Sequence, residues 1–178
     1  MKKAIAHILA ITLSLTFAAC SNNSSVPLYN DLTEQEKLIW DYYNTVNDRS
    51  VHPDGNWEKR LELTEPWNRE LCYNFSTFPG NRENRLGIFN VKSASIVYMK
   101  QIETGSADQE MYPDNEMQTF VVGIDCTVYN DGDFYYNGLN WNIVPLVSID
   151  DTWYVTYVGG GGYGWTWEYV TTRWGEWR

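Results

Sequence analysis

The sequence contains very little histidine. Two histidines occur in 178 residues, His7 in the leading apolar run and His52 in a polar loop beside Pro53 and Asp54. So few imidazoles argue against a His-rich metal site or a His-based catalytic triad. We interpret His52 as a solvated loop residue, and we predict neither a metal site nor a cofactor.

Basic side chains are also scarce. Lys and Arg number 13 against 23 Asp and Glu, which gives a formal net charge of −10. A chain this acidic is repelled by phosphate backbones, so nucleic acid is not an expected partner. The composition also offers no basic patch for anionic lipid headgroups. Attachment to a membrane would therefore need an anchor other than electrostatic attraction.

Long apolar runs are absent except at the start of the chain. Met1 is followed by two lysines, and residues 4–18 are apolar apart from His7 and a few hydroxyls. This pattern is typical of an export signal. The run is shorter than the ~20 residues that a transmembrane helix needs, so the pattern favours a cleaved signal peptide over a retained membrane span.

The end of this run, Phe-Ala-Ala-Cys at residues 17–20, resembles the bacterial lipobox. In that family the cysteine takes a diacylglyceryl thioether and the peptide is cut just before it, so the resemblance implies lipidation of Cys20. Two or three acyl chains anchor a protein stably, at ~0.8 kcal/mol per buried CH₂. A plain signal peptide in which Cys20 occurs by chance is the alternative.

The resemblance also implies a domain division and a location. The protein would face outward from the cytoplasm in a bacterial cell envelope, held to the membrane by lipid. About 160 residues remain after cleavage, which is enough for one domain with a hydrophobic core. The predicted parts are a signal peptide, a lipidated cysteine with a polar flexible tether, and a single domain, at residues 1–19, 20–32 and 33–178.

Two further cysteines, Cys72 and Cys126, lie within the predicted domain. A disulfide between them is chemically allowed outside the cytoplasm, and it would stabilise the fold by roughly 4 kcal/mol on the chain-entropy account. Both residues also lie in apolar patterns, where a free buried cysteine behaves as a small hydrophobe. The sequence leaves both alternatives open.

Helical periodicity begins at Thr33. Thr33 and Glu36 have the spacing of a capping box, and the acidic first turn suits the helix dipole. One face of the predicted helix is then apolar, and its residues are Leu38, Ile39, Tyr42, Tyr43 and Val46.

Two more helices are predicted before residue 80. A short one is indicated around Trp57 and Leu61. For the next, Thr64 is the predicted cap and Pro66 lies in the first turn, where proline is tolerated. Its apolar face is predicted to consist of Trp67, Leu71 and Phe75.

After residue 90 the apolar period changes from about 3.6 to 2. Strands are predicted over residues 94–102, 119–129, 139–149 and 153–158. Pro145 within the third strand implies an edge position or a bulge. Helices followed by an antiparallel meander indicate an α+β fold.

This layout resembles the NTF2-like superfamily, in which a curved antiparallel sheet wraps over N-terminal helices as a cone. The resemblance is carried by EQEKLIWDYYNTVN at residues 34–47 and NGLNWNIVPLVSIDDTWYVTYV at residues 137–158. It implies a pocket between sheet and helices. Some members are isomerases or dehydratases with an Asp or His base, others bind ligands, and others dimerise. A different helix-on-sheet fold is the alternative.

Asp125 is the one carboxylate that interrupts an apolar predicted strand. If its face lines a pocket, Asp125 is a candidate general base with a raised pKa, with Tyr42 or Tyr43 as hydrogen-bond donor. If that face meets solvent, Asp125 is the polar half of an amphipathic strand. Trp141 is a further candidate for ligand contact.

The aromatic tail is the most unusual stretch. Its residues alternate, so a strand would place them on one face: Tyr163, Trp165, Trp167 and Tyr169. An exposed aromatic row would form a stacking platform for a glycan or a contact surface for an envelope protein or a second copy. Packed inward, the same row would complete the core.

The sequence therefore predicts a lipid-anchored module that binds a small ligand or a partner. A pocket enzyme using Asp125 as its base is one alternative. A structural interaction module that uses the aromatic tail is the other.

Overall fold

The computed structural model describes residues 26–131, 134–160 and 164–177. The predicted signal peptide and Cys20 lie outside these residues, and so does Tyr163. The described chain has an α+β fold, as predicted. Four helices come first: α1 (Glu34–Asn44), α2 (Trp57–Leu63), α3 (Pro66–Thr77) and α4 (Pro79–Glu83).

The start of α1 confirms the predicted capping box. The Thr33 hydroxyl accepts a hydrogen bond from the Glu36 backbone N–H at 3.2 Å, and the Thr33 N–H donates to the Glu36 carboxylate at 2.8 Å. These bonds satisfy two N–H groups that have no partner within the helix. The apolar face of α1 packs on the sheet through Ile39, Tyr42 and Tyr43, all buried.

The cap of α3 differs from the prediction. Glu65, not Thr64, is the N-cap, and its carboxylate accepts hydrogen bonds from the N–H groups of Trp67 and Asn68 at 2.6 Å each. Thr64 instead donates its hydroxyl to the Arg60 carbonyl at 2.9 Å, at the end of α2. The predicted role failed because Thr64 ends one helix and Glu65 begins the next.

An antiparallel sheet follows the helices, in the order β1-β2-β3-β4, and a short β5 also pairs with β3. Two register shifts interrupt the pairing of β1 with β2, and such bulges bend a strand. The strands are β1 (Val91–Ile102), β2 (Met117–Val128), β3 (Gly138–Ile149), β4 (Thr152–Val155) and β5 (Gly159–Gly160).

Pro145 does not mark an edge strand. β3 pairs with β2 along one side, and along the other it pairs first with β5 and then with β4. Pro145 lies between those two partners, where its missing N–H breaks no ladder bond to either. Its carbonyl accepts hydrogen bonds at 3.1 Å from both the N–H and the hydroxyl of Thr156.

Three helices were not predicted. α4 lies where the sequence indicated only the end of the third helix. α5 (Ser106–Met111) lies within the β1–β2 connection, which the sequence indicated only as polar. α6 (Trp167–Trp174) replaces the predicted aromatic strand. The Thr166 hydroxyl accepts from the Tyr169 N–H at 3.1 Å as a helix cap, and Gly175 ends the helix at φ 86°. The aromatic residues of the tail also fit a helical spacing, so their alternation in sequence did not identify a strand.

The sheet is covered on both faces. Side chains alternate along a strand, so Cys126 and Gly123 of β2 point to opposite faces. Cys126 lies on the face that α1 covers. On the other face the Trp141 ring lies over Gly123 and packs edge-on against Tyr98, and Trp167 of α6 packs beside both rings.

No helix within residues 26–131, 134–160 and 164–177 is long and apolar enough to span a bilayer.

Candidate functional site

A cleft of about 530 Å³ opens where the end of α3, the α4–β1 connection and the β2–β3 connection meet. Its size falls within the range of small-molecule sites. The apolar part of the lining consists of Phe75, Leu86, Gly87, Phe134 and Tyr135. The polar part consists of Asn84, Arg85, Asn90, Asn130 and Asp131.

One wall of the cleft holds a strained backbone segment. Arg85 has φ 56°, which is costly for a side chain with a Cβ, and Gly87 has φ 54°. The Arg85 guanidinium donates to the Asp54 carboxylate at 2.6 Å and lies 3.8 Å from the centre of the Tyr129 ring. These contacts hold the strained conformation, and such strain is concentrated at functional sites.

Asn90 ties the two walls together. Its side-chain amide donates to the Asn130 carbonyl at 2.5 Å, and its side-chain oxygen accepts from the Asn130 N–H at 2.9 Å. The Asn90 carbonyl also accepts from the Tyr129 N–H at 2.9 Å. The β2–β3 connection is therefore fixed against the start of β1 on its Asn130 side.

Phenol groups lie beneath the apolar lining. Tyr135 of the cleft is close enough to Tyr43 and Cys126 for their charges to interact. Burial raises the pKa of Tyr43 well above its usual value, with a further contribution from Tyr135. Burial likewise raises the pKa of Tyr135, although Arg60 opposes the change. Both phenols are therefore protonated donors at physiological pH.

One buried hydroxyl in the described part of the chain lacks a hydrogen bond. Among these residues, the Tyr43 hydroxyl has no partner, although buried polar groups are nearly always hydrogen-bonded. Tyr43 lies outside the cleft lining, beside a smaller pocket between α1 and β1.

The predicted ligand contacts Tyr42 and Tyr43 are core residues of α1 and do not line the cleft. The two rings pack edge-on at 5.7 Å, and the Arg60 guanidinium lies 4.6 Å from the centre of the Tyr42 ring. Burial raises the pKa of Tyr42. Their helix periodicity was predicted correctly, but neither side chain contributes to the wall of the cleft.

Asp125 and Trp141 also lie away from the cleft. Asp125 is exposed on β2, opposite Ser95 and Leu139 in the sheet. The amphipathic-strand alternative therefore describes Asp125, and it is not placed to act as a pocket base. Trp141 is buried against Tyr98 on the face that α6 covers.

The tail aromatics divide between packing and exposure. Trp167 packs against Tyr98, while Trp165, Tyr169 and Trp174 form a partly exposed cluster with ring centres 5.2 to 6.2 Å apart. Their planes are inclined by 41° to 89°. These aromatic rings therefore do not form the single row that a strand would have produced.

Cys72 and Cys126 are free thiols, so of the two alternatives the disulfide is wrong. Cys72 is half-buried on α3, and burial raises its pKa. Burial raises the pKa of Cys126 to about 12, and the Asp125 carboxylate adds to the effect. Both therefore remain protonated, and they pack as small hydrophobes.

The His52 side chain makes specific contacts, whereas the sequence predicted a solvated loop residue. Its Nε2 lies 2.8 Å from a Glu58 carboxylate oxygen, and its ring stacks on Trp57 with centres 5.5 Å apart. Within the part of the chain that the structure describes, no group of three or more His, Cys, Asp or Glu is arranged to hold a metal ion.

No family model, curated protein or solved structure matches the chain.

The cleft residues themselves were not predicted from the sequence. Leu86 and Phe134 lie in connections that carry no regular period, so neither was assigned to a face. The available signal was the presence of large apolar residues in otherwise polar turns. Phe75 was assigned to the apolar face of the third predicted helix, and it lines the cleft.

Proposed function

We propose that this chain is a bacterial envelope lipoprotein, anchored through Cys20, whose domain binds a small apolar ligand in the cleft. The observation that carries the proposal is the cleft itself, with apolar walls and the protonated phenol of Tyr135 in its lining. Ligand sites are concave and mostly apolar, with a few polar groups that set orientation.

The chemistry of the lining defines the ligand class. Phe75, Leu86 and Phe134 offer an apolar surface to a ligand body. Tyr135 offers an O–H donor, since its pKa is raised and the phenol does not ionise at neutral pH. The ligand is therefore an apolar molecule with at least one acceptor oxygen, such as a carbonyl or ether.

The NTF2-like cone is part of this proposal. It is supported by the order of the elements, with α1, α2 and α3 before an antiparallel sheet that the β1 bulges bend. α6 on the opposite face of the sheet is an addition to that layout. No observation favours the isomerase alternative, since Asp125 lies outside the cleft.

Native mass spectrometry of the protein purified from its host membranes tests the binding proposal. We expect a reproducible extra mass that is lost on denaturation. Phe134→Ser should lower the occupied fraction at least ~5-fold, because it removes a cleft wall. Phe134 is 80% exposed, so the change should leave the fold intact.

Phe78→Ser is the matched control, since Phe78 is an exposed phenylalanine that does not line the cleft. Tyr135→Phe should weaken binding by roughly 2- to 10-fold, the effect of one hydrogen bond of about 0.5–1.5 kcal/mol. Equal occupancy in the Phe134 and Phe78 variants, or an empty native protein, would contradict ligand binding in the cleft.

The anchor is tested separately. Growth with a radioactive fatty acid should label the wild-type protein, and Cys20→Ser should abolish the label. A Cys20→Ser protein that still incorporates label would contradict the lipoprotein assignment without affecting the cleft.

A further inference from the structure

An apolar stripe runs along α3 on the side away from the sheet. We call it the α3 stripe. Trp67 and Leu71 are 71% and 67% exposed, and Phe75 is 40% exposed. Their spacing of four residues places them on one helical face. Large contiguous exposed apolar surfaces mark interaction sites.

The stripe does not result from loose attachment of α3. Glu65 is fully buried at the helix N-terminus, and its own N–H donates to the Val155 carbonyl of β4 at 2.9 Å. The Asn68 side chain donates to the Thr156 carbonyl at 3.0 Å. These polar contacts fix the N-terminal part of the helix, where Trp67 and Leu71 are exposed, while the Phe75 ring stacks on the buried Phe89 with centres 6.0 Å apart.

The stripe also lies in a segment that carries no excess negative charge. Residues 66–90 contain three Arg and two Glu, whereas residues 93–178 contain three basic and twelve acidic side chains. A surface that approaches an anionic bilayer must avoid excess negative charge. The α3 region satisfies this condition. The acidic remainder of the chain should face away from the bilayer, because it would be repelled by anionic headgroups.

We propose that the α3 stripe rests on the bilayer that holds the Cys20 lipid. This inference rests on the proposed lipoprotein anchor. Five residues lie between Cys20 and Val26, where the described chain begins, and the six steps from Cys20 to Val26 span at most about 20 Å. A domain of this length has a radius of gyration of about 15 Å. The tether therefore keeps the domain next to the bilayer. It is also long enough for the domain to rotate until the α3 stripe faces the bilayer.

The side chains of the stripe suit a lipid surface. Trp and Phe are favoured at the membrane interface, and a helix with such a face lies in the interface plane. Phe75 belongs both to the stripe and to the cleft lining. Docking would therefore place the mouth of the cleft at the bilayer, where an apolar ligand enters without crossing water.

The test uses the lipidated full chain in vesicles of phosphatidylethanolamine and phosphatidylglycerol. A site for a sequence-specific protease is inserted after Ser25, so that the domain can be released. Hydroxyl-radical footprinting then measures oxidation of Trp67 relative to Tyr157, an exposed tyrosine outside the stripe. We expect this ratio to rise at least ~3-fold when the domain is released.

Two variants sharpen the measurement. Leu71→Ser should raise Trp67 oxidation on vesicles towards the released value, because it interrupts the stripe. Met111→Ser is the matched control, since Met111 is 48% exposed on the acidic helix α5 and should leave the ratio unchanged.

Three results would overturn the inference. An oxidation ratio that does not change on release would mean that the bilayer does not cover the stripe. Protection that survives release and disappears on dilution would mean that a second copy covers it. Failure of Cys20 to take up fatty acid would remove the anchor, and this failure is recognised by the label alone, before any footprinting.

Discussion

Helices α3 and α6 each carry three aromatic side chains but pack against the rest of the chain in opposite ways. On α6, Val170 is fully buried and Trp167 contacts the rings of Tyr98 and Trp141. On α3 the only buried residue is Ser76. The aromatic content of a helix therefore does not show which side chains are packed.

The difference lies in the surface that faces each helix. The sheet under α6 presents Tyr98 and Trp141, and the absence of a side chain at Gly123 leaves space for the Trp141 ring. α3 is attached at its N-terminus by the polar contacts of Glu65 and Asn68, and near its C-terminus by Phe75, whose ring stacks on Phe89 with centres 6.0 Å apart. One helix is held mainly by its aromatic side chains, and the other mainly by contacts near its two ends.

The largest expected effect comes from removing aromatic packing on the α6 side. Trp141→Ala should lower the free energy of unfolding by about 3–5 kcal/mol, because it opens a cavity beneath α6. Trp67→Ala, the same change on the α3 stripe, should alter it by no more than about 0.5 kcal/mol. Urea denaturation of the mature chain measures both. Similar losses in the two variants would contradict the contrast between the helices.

A substitution at Gly123 should have an intermediate effect on stability, because it adds a side chain to the packed site instead of removing one. A Cβ there would lie 2.6 Å from a ring carbon of Trp141, so Gly123→Ala should overpack the site and destabilise the fold by about 1–3 kcal/mol. Gly105→Ala is the matched control, since its Cβ would meet only the Asp108 carboxylate at 3.6 Å. Equal midpoints in urea for the two variants would show that the Trp141 ring moves without cost.

Local signals in the sequence predicted most of the fold. The Thr33 capping box and the period-2 strands were confirmed because short-range hydrogen bonds and alternation determine them. The predicted apolar face of α3 was confirmed, but Trp67 and Leu71 on this face are exposed. Periodicity shows that Trp67 and Leu71 share a face, but it does not show whether another element covers that face.

The cleft was harder to predict because it depends on contacts between distant segments. Arg85 meets Asp54 across 31 residues, and Asn90 meets Asn130 across 40 residues. Neither pair lies in a periodic element, so no local pattern joins them. The tail was misread for a related reason, since its aromatic spacing fits both a strand and a helix.

The smallest expected effect concerns the polar contact that holds the end of α6. The Tyr98 hydroxyl donates to the Gly175 carbonyl at 2.6 Å, so Tyr98→Phe should cost about 0.5–1.5 kcal/mol at neutral pH. Burial raises the pKa of Tyr98 to about 12, and the Glu176 carboxylate adds to the effect. Between pH 10 and 12 the unfolded chain therefore loses this proton before the folded chain does, and stability falls as pH rises.

The Tyr98→Phe variant lacks this ionisation. Its disadvantage relative to the wild type should therefore shrink as the pH is raised from 10 to 12, at up to about 1.4 kcal/mol per pH unit. Urea denaturation at a series of pH values measures the difference. A difference that stays constant to pH 12 would mean that Tyr98 is not held protonated, and that α6 is held by ring packing alone.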